Sequence, residues 1–425
     1  MKKYCILFLS LCVASLWTCT TENPAPKHRI LISTDIGGTD PDDNQSMAHL
    51  LMYSDCFDIE GLVSSPSFGE GSKEEILRMI DLYEADYDRL KNHAAGCLPP
   101  DSLRRLCKQG RRGLLPYYGY ETPTEGSEWI VSCARKEDPR LLWILVWGSL
   151  DDVAQALHDA PDILPRIRVY WIGGPNKKWG VNSYAYIVEN FPDLWIIENN
   201  ASYRGFIGNN KKDDVYNMRY YDTYIKGAGN LGADFIDYYE GQVKMGDTPS
   251  LLYVMNGNPE IPEGESWGGS FEKMSHSPRT IFTRHTTLQD TVPVYSVVEF
   301  RLNGPEIDKP AGARCFDFII DRQTWDGVYL GDGLFAVRYA PKAPATLDYR
   351  IVSDIKEFDG QTGVFVVSRK WPGKKRADSY EVGANWYTDR CDKALFERLW
   401  QGSKTVSKWR NDVLDDWAER WSWLK

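Results

Sequence analysis

The sequence lacks a zinc-binding pattern, an excess of basic residues and any internal repeat. Its 9 cysteines and 6 histidines form no Cys-x-x-Cys pair and no Cys/His cluster with the spacing of a zinc site. The 425 residues carry 50 Lys and Arg against 60 Asp and Glu, a net charge of −10. A surface of this sign repels phosphate backbones, so we expect no nucleic acid partner. Tryptophan, by contrast, is plentiful at 16 residues; it either stacks on sugars or fills cores.

The N-terminus carries an export signal. Lys2 and Lys3 precede an apolar run from Cys5 to Trp17 that is too short to span a bilayer as a mature helix. The run ends at Cys19 and a polar stretch follows, which resembles a bacterial lipoprotein signal. We predict a signal peptide (1–19), a linker (20–27) and a cell-envelope lipoprotein, in the periplasm or on the outer-membrane surface, that contacts the membrane only through lipid on Cys19. Simple secretion and a structural N-terminal helix are the alternatives.

Short apolar segments alternate with amphipathic ones from residue 28 to about residue 252. Predicted strands cover 29–34, 59–64, 141–147, 167–172 and 194–197, and predicted helices cover 44–53, 74–87 and 152–158. This alternation predicts an α/β domain over 28–278, with a mostly parallel sheet covered by helices on both faces. The ligand site of such a sheet lies beyond the carboxyl ends of its strands.

The pattern changes after residue 279. Predicted strands at 292–301, 313–320, 334–339 and 363–367 are separated by Gly, Pro and Asp turns, which indicates an inserted β-sandwich over 279–384. The segment from Trp325 to Pro341 resembles the immunoglobulin-like modules of some glycoside hydrolases. Residues 385–425 are predicted to be helical, and the apolar stripe that includes Trp417 and Trp421 is expected to pack on the α/β domain.

Four aspartates lie where the first strand ends and the first helix begins: Asp35, Asp40, Asp42 and Asp43. Unpaired, they would repel one another, so a cation must neutralise them. Calcium accepts oxygen ligands in the irregular geometry of a loop, and the adjacent glycines let the backbone curl around an ion. Helix capping is the alternative, but it explains one aspartate and not four.

This motif resembles the N-terminal signature of nucleoside hydrolases, Asp-x-Asp-Pro-Gly-x-Asp-Asp, whose aspartates hold calcium. Two departures stand out: Ser33 replaces the first aspartate, and the loop between Asp35 and Asp42 is longer. The Gly-Gly form is similar to an exported branch of the superfamily once labelled cellulose-binding. The segments Trp147–Asp152, Glu198–Asn200 and Gly246–Pro249 follow in the family's order, and Trp267-Gly-Gly matches an element of the branch.

The resemblance implies a residue for each role. Metal ligands would be Asp35, Asp43, Asp151 through its carbonyl, and Asp247; catalytic residues would be Asp35 and Asp42; substrate would contact Glu198, Asn200 and Trp267. It also implies a calcium-bound water that attacks an anomeric carbon after losing its proton to Asp35. The family's histidine before the distal aspartate is Gly246 here, and His276 and His285 lie outside any matching motif.

The leaving-group acid therefore has to come from elsewhere, with Glu272 and Tyr203 as candidates. We expect a calcium-dependent hydrolase of an N- or O-glycosyl bond, with furanosyl bonds among the candidates and a small glycoside or an oligosaccharide as partner. The alternative is a non-catalytic carbohydrate-binding lipoprotein. A third alternative is a scaffold or adhesion module that calcium stabilises.

Overall fold

The computed structural model describes residues 27–208 and 212–425. The predicted signal peptide, Cys19 and linker residues 20–26 lie outside the described residues. Two β-sheets of eight strands each organise the described chain. The strands, in chain order, are β1 (Arg29–Thr34), β2 (Asp58–Ser64), β3 (Cys107–Gln109), β4 (Leu142–Val146), β5 (Ile167–Ile172), β6 (Ile196–Asn199), β7 (Phe271–Lys273), β8 (Arg279–Phe282), β9 (Thr291–Pro293), β10 (Val297–Asn303), β11 (Arg314–Ile320), β12 (Gln323–Gly331), β13 (Leu334–Tyr339), β14 (Ala345–Ser353), β15 (Thr362–Ser368) and β16 (Trp386–Asp389).

Helices fill the connections of the first sheet and form the C-terminus. They are α1 (Asp42–Met52), α2 (Lys73–His93), α3 (Pro100–Leu106), α4 (Glu125–Ala134), α5 (Asp151–Asp159), α6 (Gly174–Trp179), α7 (Val181–Asn190), α8 (Gly229–Phe235), α9 (Thr248–Met255), α10 (Lys404–Ser407) and α11 (Arg410–Ser422). Of the helices within 27–208 and 212–425, none combines the length and the apolar character needed to cross a membrane.

The first sheet is mixed, with the strand order β3-β2-β1-β4-β5-β6-β16-β7. Neighbours from β3 to β16 run parallel, and β7 runs antiparallel to β16. The central strands β1 and β4 are buried along their whole length because helices cover both faces. One face packs on α4, α5 and α7, and the other packs on α1, α2, α9 and α11. The predicted α/β architecture is confirmed.

The strand β16 corrects the prediction for the C-terminal segment. The sequence pattern predicts helix over 385–425, yet Trp386–Asp389 pair with β6 and β7. The chain therefore leaves the first sheet after β7, builds the second sheet and returns to the first. A buried strand of four residues shows too little periodicity to stand out beside a Trp-rich helix.

The second sheet has the order β8-β10-β13-β12-β11-β14-β15-β9. Its pairings are antiparallel except β8 with β10 and β9 with β15, which are parallel. The sequence pattern predicts β10, β11, β13 and β15 and misses the other four strands. The immunoglobulin-like identity of this module stays a prediction.

The second sheet packs against the α5 and α7 side of the first, and one apolar cluster runs through both. Polar contacts join them as well: the Tyr117 hydroxyl donates to Glu299 Oε1 at 2.8 Å, and Lys178 Nζ donates to Asp321 Oδ2 at 2.7 Å. The sheets thus share a packed interface.

Helix α11 lies against α1 and α8. Trp417 and Trp421 are fully buried, and Trp417 meets the ring of His49 edge-on at 5.3 Å between centroids. Arg420 pairs with Asp55 at 2.5 Å beside this contact. Helix α11 therefore packs with α1 and α8 in the core on this face of the first sheet.

The six cysteines of the described chain form no disulfide. Cys97, Cys107 and Cys133 are buried, and burial raises the pKa of each thiol. They fill core space as small apolar residues.

Candidate metal centre

Three carboxylates from distant parts of the chain converge at the carboxyl end of β1. Asp42 and Asp43 open α1, and Asp247 immediately precedes α9. One oxygen from each lies within 4.8 Å of the others, close enough for a single ion to bridge them. This is the edge of the sheet where parallel α/β folds place ligands.

A tight turn brings Asp35 to the same place. Gly37 has φ +87°, and the Gly38 amide donates to the Asp35 carbonyl at 3.0 Å. The turn requires glycine at position 37 for two reasons. Its positive φ is unfavourable for other residues, and a Cβ atom on Gly37 would lie 2.7 Å from Ser72 Cβ. The loop therefore turns sharply after Asp35 and lies against the start of α2, where the Ser72 amide donates to the Ile36 carbonyl at 2.9 Å.

The cluster is buried and its charge is not balanced. Asp43 and Asp247 are 4% and 5% exposed. Burial, reinforced by repulsion from neighbouring aspartates, raises the pKa of Asp35 to about 7 and that of Asp42 to about 8. The same causes hold the pKa of Asp43 and Asp247 well above the ordinary range. Such shifts mark carboxylates without adequate counter-charge.

Lys244 is the cation that faces this cluster in the described chain. Its ammonium contacts Asp40 and lies 3.6 Å from Asp42 Oδ2. This single ammonium already pairs with Asp40, so it cannot also neutralise the other four carboxylates, Asp35, Asp42, Asp43 and Asp247. An all-oxygen donor set with a surplus of negative charge fits a hard divalent cation.

Helix capping does not account for these aspartates. The N-cap residue of α1 is Pro41, and no side chain caps this described helix by a hydrogen bond. Asp43 instead accepts a hydrogen bond from Thr34 Oγ1, which accepts from the Ile36 amide at 3.1 Å. The threonine thus orients one carboxylate oxygen, as outer-shell partners of metal ligands do.

The turn after β4 meets Asp35 through Gly148, not through Asp151. A Cβ on Gly148 would lie 2.9 Å from Asp35 Cβ. Asp151 begins α5, and its carboxylate accepts hydrogen bonds from the Leu115 amide at 2.8 Å and from Ser183 Oγ at 2.5 Å. Its carbonyl belongs to the first helical turn, where carbonyls accept intrahelical hydrogen bonds. The structure therefore gives the Asp151 carboxylate structural partners, and the role of its carbonyl as a metal ligand stays a prediction.

Glu198 and Asn200 lie in a closed, fully buried network. Glu198 pairs with Lys177 of α6 and accepts from the Tyr184 hydroxyl at 2.7 Å and from Asn200 Nδ2 at 2.8 Å. Asn200 Oδ1 accepts from the Gly174 amide at 3.0 Å. Both residues are 0% exposed. Lys177 and Tyr184 already bind the carboxylate, and the contact of Glu198 and Asn200 with a substrate stays a prediction.

Tyr203 borders the acidic cluster. The Tyr203 ring lies 3.8 Å from the place that a Cβ atom on Gly246 would occupy. Its hydroxyl lies 3.1 Å from the place that a Cβ atom on Gly174 would occupy. Burial raises the pKa of this phenol, with smaller contributions from the charges of Asp42 and Asp247. The phenol therefore keeps its proton at neutral pH.

The other predicted residues lie elsewhere. Trp267 is half-buried against the core beneath α9. Glu272 accepts from the Cys391 amide at 3.1 Å at the edge of the first sheet. His276 contacts Ser275, and His285 contacts Tyr349 of the second sheet. The structure therefore keeps Tyr203, of the two acid candidates, beside the aspartates.

Residues 29–271 match the family model described as "Cellulose-binding Sde182, nucleoside hydrolase-like domain". The match covers more than half of the chain. The chain belongs to this family.

Solved structures similar to this chain include several hydrolases. A nucleoside hydrolase-related hypothetical protein from Saccharophagus degradans, associated with carbohydrate metabolism, is 18% identical, with a TM-score of 0.49 over 81% of this chain and 100% of that one. The inosine-uridine preferring nucleoside hydrolase from Bacillus anthracis is 15% identical, with a TM-score of 0.39 over 60% and 87%. A search of curated proteins finds no match.

The chain's family is shown, but the match itself assigns no role to single residues. The sequence motif points to Asp35, Asp42 and Asp43 because their spacing along the chain is short. It misses Thr34, Lys177 and Tyr184, since their roles depend on contacts across the sheet. Thr34 stands directly before Asp35 at the end of β1, and this position is the one signal that points to it.

Proposed function

We propose that the chain is a metal-dependent hydrolase of a glycosidic bond, with calcium held by Asp42, Asp43 and Asp247 and with Asp35 beside them. The observation that supports this most is the convergence of buried carboxylates with too little counter-charge. The donor set contains oxygen only and lies partly on an irregular loop, which suits calcium better than a cation that demands a rigid octahedron. The description of the family, which names cellulose binding, associates its members with carbohydrate.

A divalent ion bound here would lower the pKa of a water molecule and hold sugar hydroxyls. The protein's own groups supply the remaining chemistry. Asp35, pressed against Gly148, accepts the proton of the attacking water. Asp42 is 14% exposed and accepts a hydrogen bond from a sugar hydroxyl. Tyr203 donates its proton to the leaving group.

Carbohydrate binding without turnover is the second candidate. The closed network of Glu198 and Asn200 favours it, because those side chains cannot reach a sugar while Lys177 and Tyr184 bind them. Under this alternative the ion would fix a sugar in place and no bond would break.

A substrate panel distinguishes the two. Nucleosides, 4-nitrophenyl furanosides and pyranosides, and cello- and xylo-oligosaccharides are incubated with calcium and with chelator, using wild type, Asp35→Asn and Asp247→Asn. Asp40→Asn is the matched control, since this aspartate lies in the same loop but is 55% exposed. Hydrolysis that needs calcium, is lost in the first two variants and survives in the control supports the hydrolase. Calcium-dependent sugar binding without any product supports the alternative.

Export remains part of the proposal. Cys19 would carry lipid and anchor the protein in the cell envelope. Labelling of the expressed full chain with a fatty acid analogue, compared with Cys19→Ser, checks this: label on the wild type alone supports the anchor.

A further inference from the structure

A cleft separates the loops of the first sheet from the second sheet. Its volume is about 570 Å³, within the range of roughly 300–1,000 Å³ that small-molecule sites occupy. One wall comes from loops around residues 68, 111–121 and 179–182, and the other from residues 312–338 of the second sheet. Two large apolar side chains of this cleft are exposed: Phe68 at 55% and Leu114 at 38%. Open apolar surface of this kind indicates a ligand.

Three aromatic rings follow one another across the cleft. Phe68 and Trp179 have their ring centroids 4.7 Å apart, and Trp179 is stacked on Trp325 at 5.7 Å with 14° between the planes. Phe68 and Trp179 belong to the connections of the first sheet, and Trp325 belongs to β12. Trp179 and Trp325 are half-buried, so the part of each ring that is not stacked on the other is open to the C–H groups of sugars.

Polar side chains in the walls of the cleft contain atoms without a hydrogen-bond partner in the described chain. These buried atoms are Arg111 Nε, Asn182 Oδ1, Gln323 Oε1 and Trp325 Nε1. Two of them are donors and two are acceptors. The walls of the cleft therefore carry, just beneath their surface, polar atoms that the described chain leaves unpaired.

Most of the positive charge in the cleft is already paired. Three of the four lining arginines have a carboxylate partner: Arg111 pairs with Glu121, Arg314 with Asp326 at 2.8 Å, and Arg338 with Glu299 at 3.2 Å. Arg322 is the fourth, and it has no such partner in the described chain. Paired guanidinium groups attract an anion weakly because their field is already compensated.

The cleft adjoins the acidic cluster through the loop that carries Phe68. A Cβ on Gly69 would lie 3.2 Å from Gly38, the glycine of the acidic turn. On the other side of Phe68, Ser67 Oγ donates to Asn176 Oδ1 of α6 at 2.7 Å and lies beside the Asp35 carboxyl group. Phe68 and Trp179 follow β2 and β5, so they lie at the same edge of the sheet as the aspartates.

We propose that this cleft binds a linear, neutral oligosaccharide, which stacks on Phe68, Trp179 and Trp325 and places one end at the acidic cluster. The role of the sugar at the acidic cluster rests on the proposed function, whereas binding of the oligosaccharide in the cleft does not. It makes the second sheet a part of the substrate site, and it names a chain of several sugars, not a free nucleoside, as the substrate.

Calorimetric titration of the full-length protein in chelator, where hydrolysis stops, measures binding alone. The probes are cellohexaose, xylohexaose and their disaccharides. We expect a hexasaccharide to bind more tightly than its disaccharide, and Trp325→Ala and Trp179→Ala to weaken hexasaccharide binding about tenfold or more. The matched control is Trp423→Ala, since Trp423 is half-buried and stacks on His93 at 5.1 Å on the C-terminal tail.

Trp325→Phe keeps an aromatic face and should retain part of the affinity, which separates stacking from folding. Thermal melting of each variant identifies any that fail to fold. The proposal is overturned if the Trp325 and Trp179 variants bind as wild type does, if neither hexasaccharide binds wild type, or if an oligogalacturonate binds more tightly than both. Tryptophan-dependent binding in a protein that never hydrolyses the sugar would refute the proposed hydrolase and leave the cleft assignment standing.

Discussion

Gly246 lies directly against Asp42: a Cβ atom at position 246 would stand 2.5 Å from Asp42 Oδ2. The nucleoside hydrolase signature has a histidine at this place. Any side chain here would push the Asp42 carboxylate away from Asp43 and Asp247, so the glycine and the position of Asp42 depend on each other. Glycine therefore suits position 246 in this cluster, and in the proposed hydrolase a residue other than 246 would have to protonate the leaving group.

Gly246→Ala tests this dependence. We expect calcium affinity to fall about 10- to 100-fold, as for changes next to metal ligands, because Asp42 must move. Calorimetric titration with calcium measures the loss. Gly113→Ala is the control, since a Cβ there meets nothing within 4 Å. Equal affinity in both variants would show that Asp42 does not help to hold the ion.

Thr34→Val tests the orientation of Asp43. Loss of the hydroxyl removes the hydrogen bond to Asp43 while keeping the shape of the side chain. We expect about a tenfold loss of calcium affinity, while Thr34→Ser, which keeps the hydroxyl, stays near wild type. The prediction fails if the valine and serine variants bind calcium alike.

The local part of the site can be predicted from the sequence and the long-range part cannot. Asp35, Asp42 and Asp43 lie within nine residues, so their spacing alone indicates that they meet at the end of β1. Asp247 joins them only through the fold, and the order of family motifs is the only sequence signal for it. The sequence does not predict the surroundings of Glu198, because nothing near it reveals that Lys177 neutralises it inside the core.

The fold shows the same division. Long apolar strands such as β1 and β4 stand out, since burial on both faces requires an unbroken apolar run. Strand β16 does not, because it is short and pairs with strands more than a hundred residues away. Pairing at that distance leaves no local periodicity to detect.

The acidic cluster predicts an unusual dependence of stability on pH. Asp35 and Asp42 have folded-state pKa values of about 7 and about 8, above their unfolded values of about 4. The folded metal-free protein therefore binds more protons than the unfolded chain, and it loses stability as pH rises from about 4 to about 8. Bound calcium would offset the repulsion between the carboxylates that raises these pKa values. Calorimetric melting should show a larger rise in Tm with calcium at pH 8 than at pH 5, and Asp247→Asn should reduce that difference. An equal rise at both pH values would contradict the prediction.

Trp417→Ala tests how far the C-terminal helix stabilises the layer of helices on the first sheet. The indole is fully buried among His49, Phe235 and Trp421, so its removal leaves a cavity. We expect a loss of about 3–5 kcal/mol in the free energy of unfolding. Urea denaturation measures it, with Trp423→Ala as the half-buried comparison. A loss no larger than that of the comparison would show that the helix packs loosely.

Tyr203→Phe tests the identity of the leaving-group acid. An alkyl or sugar leaving group needs a proton, whereas 4-nitrophenolate departs without one. If Tyr203 supplies the proton, kcat for a natural oligosaccharide should fall about 100-fold or more, and kcat for a 4-nitrophenyl glycoside should change little. Tyr87→Phe, on α2, controls for the loss of a phenol elsewhere. A purely structural role would lower both rates by the same factor, and unchanged rates on both substrates would remove Tyr203 from the mechanism. The contrast between the two leaving groups thus identifies proton donation independently of how tightly the sugar binds.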